Sequence, residues 1–137
     1  KEELRLPGYV RYMDDMVMWA PEKHTVCEAA YALKAFIEQH LQLSVKPMAI
    51  NRSDFGLPFL GYVVFPHTTR LSRASRKRFR GKLAQAYAKL RDGEWDQNDF
   101  KEHVLPLIAF TEHASAKGFR KKVVEETSGC RPGPPTA

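Results

Sequence analysis

The chain has 137 residues, 43% of them hydrophobic, with a net charge of +6 and a pI of about 9.4. This length allows one ordinary domain or parts of two, and the basic balance suits a polyanionic partner. The composition argues against a helical membrane protein, because no apolar run approaches the roughly 20 residues a spanning helix needs. It also argues against a disulfide or zinc scaffold, because Cys27 and Cys130 stand far apart without a Cys-x-x-Cys spacing.

Gly8 to Trp19 reads as strand, tight turn, strand, with Tyr12-Met13-Asp14-Asp15 between apolar runs and Pro21 after it. From Thr25 to Leu41, apolar residues Val26, Ala29, Ala30, Leu33, Phe36, Ile37 and Leu41 recur with helical spacing. Thr25 with Glu28 three residues on makes a capping-box pattern for that helix. Leu43 to Pro47 reads as a short extended piece, and Asn51 to Pro58 is polar and turn-rich. Phe59 to Phe65 predicts a strand, half of a hairpin with Thr68–Leu71, in which Gly61 allows a bend or a close backbone approach.

Ser72 to Arg91 predicts a second helix with an apolar stripe of Phe79, Leu83, Ala86, Tyr87 and Leu90, ended by Asp92-Gly93. A third helical region spans Asn98 to Glu126, capped by Asp96 or Asp99 and kinked or divided at Pro106. The Gly- and Pro-rich tail Thr127–Ala137 reads as disordered. A composition shift near residue 66 divides the chain into an α+β part and a helical part, so the expected fold class is α+β.

Two adjacent carboxylates at a hairpin tip are hard oxygen donors of the kind that suits Mg²⁺, which binds one or two protein carboxylates together with substrate phosphates. Paired metals about 4 Å apart stabilise both the attacking and the leaving oxygen in phosphoryl transfer. Asp14 and Asp15 therefore point to nucleotidyl transfer. The plainer alternative is a turn carrying two solvated aspartates, since Asp is a common turn residue. His24, His40, His67, His103 and His113 show no metal-ligand spacing.

The order of these pieces resembles the reverse transcriptases. Tyr12-Met13-Asp14-Asp15 resembles the Tyr-x-Asp-Asp hairpin of that family's palm. The helix Thr25–Leu41 and the segment Leu43-Ser44-Val45-Lys46 resemble the palm helix and the lysine-ended strand that follow it. Phe59-Leu60-Gly61-Tyr62 resembles the primer grip, and the helices from Ser72 onward resemble a thumb. The compact layout is similar to bacterial enzymes of the group II intron, retron and diversity-generating retroelement type. Arg11 before the tetrapeptide and the stretch Ala109–Ala114 look most like the retroelement branch.

The resemblance implies that residues 1–66 are the C-terminal part of a palm, 67–126 a helical thumb and 127–137 a tail. It implies Asp14 as principal metal ligand and Asp15 as a weaker one, with Mg²⁺ as cofactor and Mn²⁺ as an alternative. A further aspartate would come from an upstream palm strand. Lys46 would approach the pyrophosphate leaving group. Tyr12, Met13, Phe59, Leu60, Gly61 and Tyr62 would meet primer or nucleotide. Each has a plain reading beside it: hairpin packing for Tyr12, a surface lysine for Lys46, core for Phe59 and Leu60.

Seven basic residues and no acid lie between Arg70 and Lys82: Arg70, Arg73, Arg76, Lys77, Arg78, Arg80 and Lys82. Like charges at helical spacing repel, so the cluster suggests an anionic partner, against the alternative of an unusually basic solvated face. The implied partners are an RNA template, a DNA primer, deoxynucleotides and an accessory protein of the parent element, with no membrane. The chain opens at Lys1 and its first strand starts near Tyr9, so it is expected to be the C-terminal piece of a longer protein. Isolated cysteines argue for a reducing compartment and no signal peptide is visible, so a cytoplasmic setting is expected; that it is bacterial is what the resemblance implies.

Overall fold

A computed structural model describes residues 6–129 and shows an α+β chain of four helices and two small antiparallel sheets. It divides into two compact units, residues 1–51 and 52–137. No helix among the described residues is long and apolar enough to cross a membrane.

In the first unit, strands β1 (Gly8–Tyr12) and β2 (Asp15–Trp19) form a hairpin, and helix α1 (Lys23–His40) follows. The pairing runs from Gly8 opposite Trp19 to Tyr12 opposite Asp15, leaving Met13 and Asp14 as the loop. Gly8 is buried because the Trp19 indole lies across it, in the space that a side chain at Gly8 would fill. Helix α1 starts two residues before the expected Thr25 cap. Glu22 is its N-cap residue and makes no side-chain cap bond; its carboxylate sits 3.0 Å from the His24 ring instead. The helix buries only Ala29 and Ala30, so this unit has a thin core.

The segment Leu43–Lys46 is not a strand, contrary to expectation. A ladder needs a second segment to hydrogen-bond, and among the described residues none pairs with it.

The second unit begins with a short 3₁₀ turn (Ser53–Phe55) and a three-stranded sheet. The single strand expected over Phe59–Phe65 is instead β3 (Leu57–Phe59), a Leu60-Gly61 turn and β4 (Tyr62–Val64). Both turn residues have positive φ, 50° and 86°, as a two-residue type I′ hairpin requires. Strand β5 (Thr69–Leu71) pairs with β4, as expected of the Thr68–Leu71 stretch. This sheet belongs to the second unit, which starts at Arg52.

Three helices complete the unit: α2 (Arg73–Arg91), α3 (Gln97–Glu112) and α4 (Lys117–Ser128). Ser72 caps α2 by accepting from the Ser75 N–H, and Asp96 and Asp99 together form the capping box of α3. Phe79, Leu83 and Ala86 of α2, Val104 of α3 and Val123 of α4 form the buried core, ringed by Tyr87, Trp95, Phe100 and Phe119 among others.

Pro106 lies inside α3 and does not divide it. Its ring is exposed, and the buried Val104 and Thr111 on either side anchor the helix in the core. The break comes at His113–Ala116, where the Ser115 N–H donates to the Thr69 carbonyl at 2.7 Å and ties the loop to β5. Of the tail expected to be disordered, Thr127 and Ser128 end α4, and residues 130–137 lie outside the described residues.

Candidate functional site

Two hairpin tips and one helix carry the candidate residues, and they fall in separate units. In the first tip, the two-residue loop puts Asp14 at the turn and Asp15 at the first position of β2. Strand alternation places Asp15 on the same face as Tyr12, its cross-strand partner, and Arg11 with Met16 on the other. The Arg11 Nε–H donates to the Met13 carbonyl at 2.8 Å and steadies the bend. Met13 is 73% exposed and holds φ at 51°, a left-handed conformation unusual for its residue type. Outliers of this kind concentrate at functional sites.

Tyr12, Asp14 and Asp15 are all exposed. Among the described residues no lysine or arginine forms an ion pair with either acid. Two unneutralised carboxylates on neighbouring residues raise the local negative potential and attract a cation. In kind they fit Mg²⁺, which needs only one or two carboxylates when water and phosphate supply the rest. In number they do not close a site: among the described residues no group of three or more His, Cys, Asp or Glu side chains is arranged to hold a metal. Lys46 is exposed on irregular backbone.

The second tip is fastened down. The Gly61 carbonyl accepts from the Ser75 hydroxyl at 2.7 Å and from the Ser72 N–H at 3.0 Å, so the start of α2 grips the turn. A side chain at Gly61 would stand 2.8 Å from the Ser75 Oγ and 3.1 Å from the Phe110 ring. The space beside Gly61 is therefore taken by side chains of α2 and α3. The Tyr62 hydroxyl donates to the Phe110 carbonyl at 2.7 Å and its ring stacks on Phe110. Partial burial pushes the Tyr62 phenol above its ordinary value of 10.0. Leu60 stands at the apex, 40% exposed, and Phe59 is half-buried.

The seven cations between Arg70 and Lys82 do not share one face. Arg70 lies on β5 with its guanidinium 5.2 Å from the Phe65 ring centre. Arg76 and Arg80 lean toward α4, each 5.5 Å from the Phe119 ring centre. Lys82 lines a groove of about 260 Å³ against α3, with Gln85, Lys89, Trp95, His103 and Leu107. Helical phase puts Arg73 and Lys77 with the Arg76 and Arg80 side, and Arg78 with the Lys82 side.

Helix α4 adds residues that the sequence reading leaves out. Lys122 and Arg80 both approach Glu126, at 3.9 Å each. Arg120 donates to the Thr111 hydroxyl at 2.8 Å, and that hydroxyl donates on to the Ile108 carbonyl, so the fully buried Thr111 is satisfied. The i, i+4 spacing of Lys122 and Glu126 is visible in the sequence; the approach of Arg80 is not. The basic surplus belongs wholly to the second unit, which holds sixteen lysines and arginines against nine acids, while the first holds six against seven.

No known protein-family model matches the sequence, and no curated protein matches it significantly.

Proposed function

We propose that this chain carries the end of the palm and the thumb of a reverse transcriptase. In the intact enzyme it extends a DNA primer on an RNA template with deoxynucleotides. The observation that carries this reading is the position of Asp14 and Asp15: both are exposed at a tight hairpin tip, and among the described residues no lysine or arginine is ion-paired with either. The turn at Leu60-Gly61 and the cationic surface of α2 support it.

In this reading Asp14 and Asp15 would hold Mg²⁺ together with an acid from the upstream part of the parent, and the ion would supply electrostatic stabilisation of the charge that develops in phosphoryl transfer. Tyr12 and Met13 pack beneath the primer end, and Leu60 contacts the primer from its own tip. Lys46 places a cation where the leaving group gathers charge. The cations of α2 hold the template–primer hybrid by its backbone. Positioning of the 3′ hydroxyl for in-line attack supplies much of the acceleration.

The test is primer extension on an RNA template by the intact parent polymerase. Asp14→Asn lowers synthesis at least about a hundredfold, the upper range for loss of even an outer-shell metal partner, and leaves template–primer affinity within about twofold. Undiminished synthesis by this variant sinks the reading. A second reading, a non-catalytic nucleic-acid-binding module, is favoured by the segregation of positive charge into the second unit. It expects Asp14→Asn and Asp15→Asn to change nothing measurable.

A further inference from the structure

Resting on the reading that this chain grips nucleic acid, we propose that its duplex-binding surface is shared between α2 and α4, that it is built on Arg76, Arg80, Phe119 and Lys122, and that Glu126 occupies a phosphate position in it and sets its affinity.

Arg73, Arg76, Lys77 and Arg80 stand at i, i+3, i+4 and i+7, which puts them on one side of α2. The Phe119 ring of α4 receives both the Arg76 and the Arg80 guanidinium and packs against Phe79. This orders two flexible side chains in advance, so less conformational freedom is lost when they meet an anion. Lys122 lies three residues beyond Phe119 and continues the cationic surface onto α4.

Glu126 closes the arrangement. One carboxylate oxygen lies 3.9 Å from the Arg80 Nη2 and the other 3.9 Å from the Lys122 Nζ. A single anion thus spans two cations from neighbouring helices, as two oxygens of a phosphate would. Contacts this long between side chains about half exposed are weak and screened by salt. A phosphate with more charge and more acceptor oxygens displaces the carboxylate readily.

The ligand is the backbone of a duplex and not a run of unpaired bases. Single-strand sites offer aromatic faces on which bases stack. Here two guanidinium groups and Phe79 already cover Phe119, and His103 and Lys89 cover Trp95. Around Phe119 what remains is charge on α2 and α4, which suits recognition by shape and phosphate.

The test measures binding of the full chain to a fluorescent RNA–DNA hybrid of about 20 base pairs, by anisotropy across a range of salt; the hybrid exceeds a typical ssDNA-binding OB-fold footprint. Lys122→Gln removes one phosphate contact, so it reduces the salt slope by about 0.9 and weakens binding on the order of eightfold at 0.1 M salt. Glu126→Gln tightens binding about threefold or more and steepens the slope. Glu102→Gln, the same charge change at an exposed position on α3, moves affinity less than about twofold, as a remote screened charge should. Equal tightening by Glu126→Gln and Glu102→Gln overturns the proposal, because net charge alone then explains both. An unchanged slope in Lys122→Gln, or single-stranded RNA bound as tightly as the hybrid, overturns it too. Glu126→Gln changes charge without changing shape, so it carries the test even if Lys122→Gln folds poorly. A catalytically inert parent that shows these shifts refutes the polymerase reading and leaves the surface standing; an active parent without them does the reverse.

Discussion

The Tyr62 hydroxyl donates to the main-chain carbonyl of Phe110 at 2.7 Å, across forty-eight residues of sequence, and the two rings stack with centroids 4.7 Å apart. One side chain thus fastens the middle strand of the small sheet to helix α3 through both a polar and an apolar contact. The consequences are measurable.

Tyr62→Phe keeps the stacking and removes the hydrogen bond, so it destabilises the chain by about 1 kcal/mol. Thermal melting reads this as a midpoint several degrees lower. Burial raises the Tyr62 phenol above 10.0. As pH climbs past that value the unfolded chain releases the phenol proton first. The native state then binds more protons than the unfolded one, and stability falls with rising pH. The wild-type chain therefore loses stability above pH 10 by a component absent from Tyr62→Phe; identical alkaline profiles would remove the burial argument.

Leu60 occupies the first position of a type I′ turn at φ 50°, where asparagine is far better suited. Its side chain is 40% exposed, so little apolar burial is at stake. Leu60→Asn stabilises the chain by about 0.5–1 kcal/mol, within the left-handed penalty for such residues, and raises the melting midpoint by a few degrees. If the proposed polymerase function holds, the same change lowers primer extension by the parent enzyme, since the leucine at the apex is then retained for contact and not for folding. A variant that is both more stable and fully active would show that Leu60 touches nothing.

Gly8 and Trp19 face each other across the first hairpin, and the indole fills the space a methyl group at Gly8 would need. Gly8→Ala forces the indole outward. Measured in a Trp95→Phe background, where Trp19 is the only tryptophan, the emission shifts to longer wavelength. An unchanged spectrum would mean that the ring does not rest on the glycine.

Asp96 accepts from the N–H groups of Asn98 and Asp99, at 2.7 and 2.8 Å, while the Asp99 carboxylate accepts from the Asp96 N–H at 3.1 Å. Asp96→Ala leaves those donors at the start of α3 without their acceptor and costs about 1 kcal/mol. Asp96→Ser recovers most of it. Urea titration separates the two: the alanine variant unfolds at lower denaturant with the same slope, and equal midpoints for alanine and serine would discount the cap.

Local signals in the chain located much of the architecture. An apolar run on each side of Tyr12–Asp15 is enough to predict a hairpin with the acids at its tip, because alternation and a two-residue loop leave no other register for Met13 and Asp14. Ser72 and Asp92-Gly93 bound α2 for equally local reasons, a side-chain cap before the helix and a breaker after it. The split of Phe59–Phe65 was not legible in this way. Leucine ahead of Gly61 carries no turn signal, and the bend persists because Ser72 and Ser75 hold the Gly61 carbonyl from outside the segment.

The same division separates the charges from their arrangement. Sequence alone determined how many cations crowd residues 70–82, where the paired acids lie, and that a basic surface exists. Only tertiary structure decided that Arg76 and Arg80 turn toward Phe119 while Lys82 turns toward α3, that Glu126 stands between Arg80 and Lys122, and that α3 runs through Pro106 and stops where Ser115 meets Thr69. The reason is range. Turn chemistry, capping and periodicity act over a few neighbouring residues and can be read in order, whereas a helix face acquires its partners from segments tens of residues away, whose approach is set by the packed core.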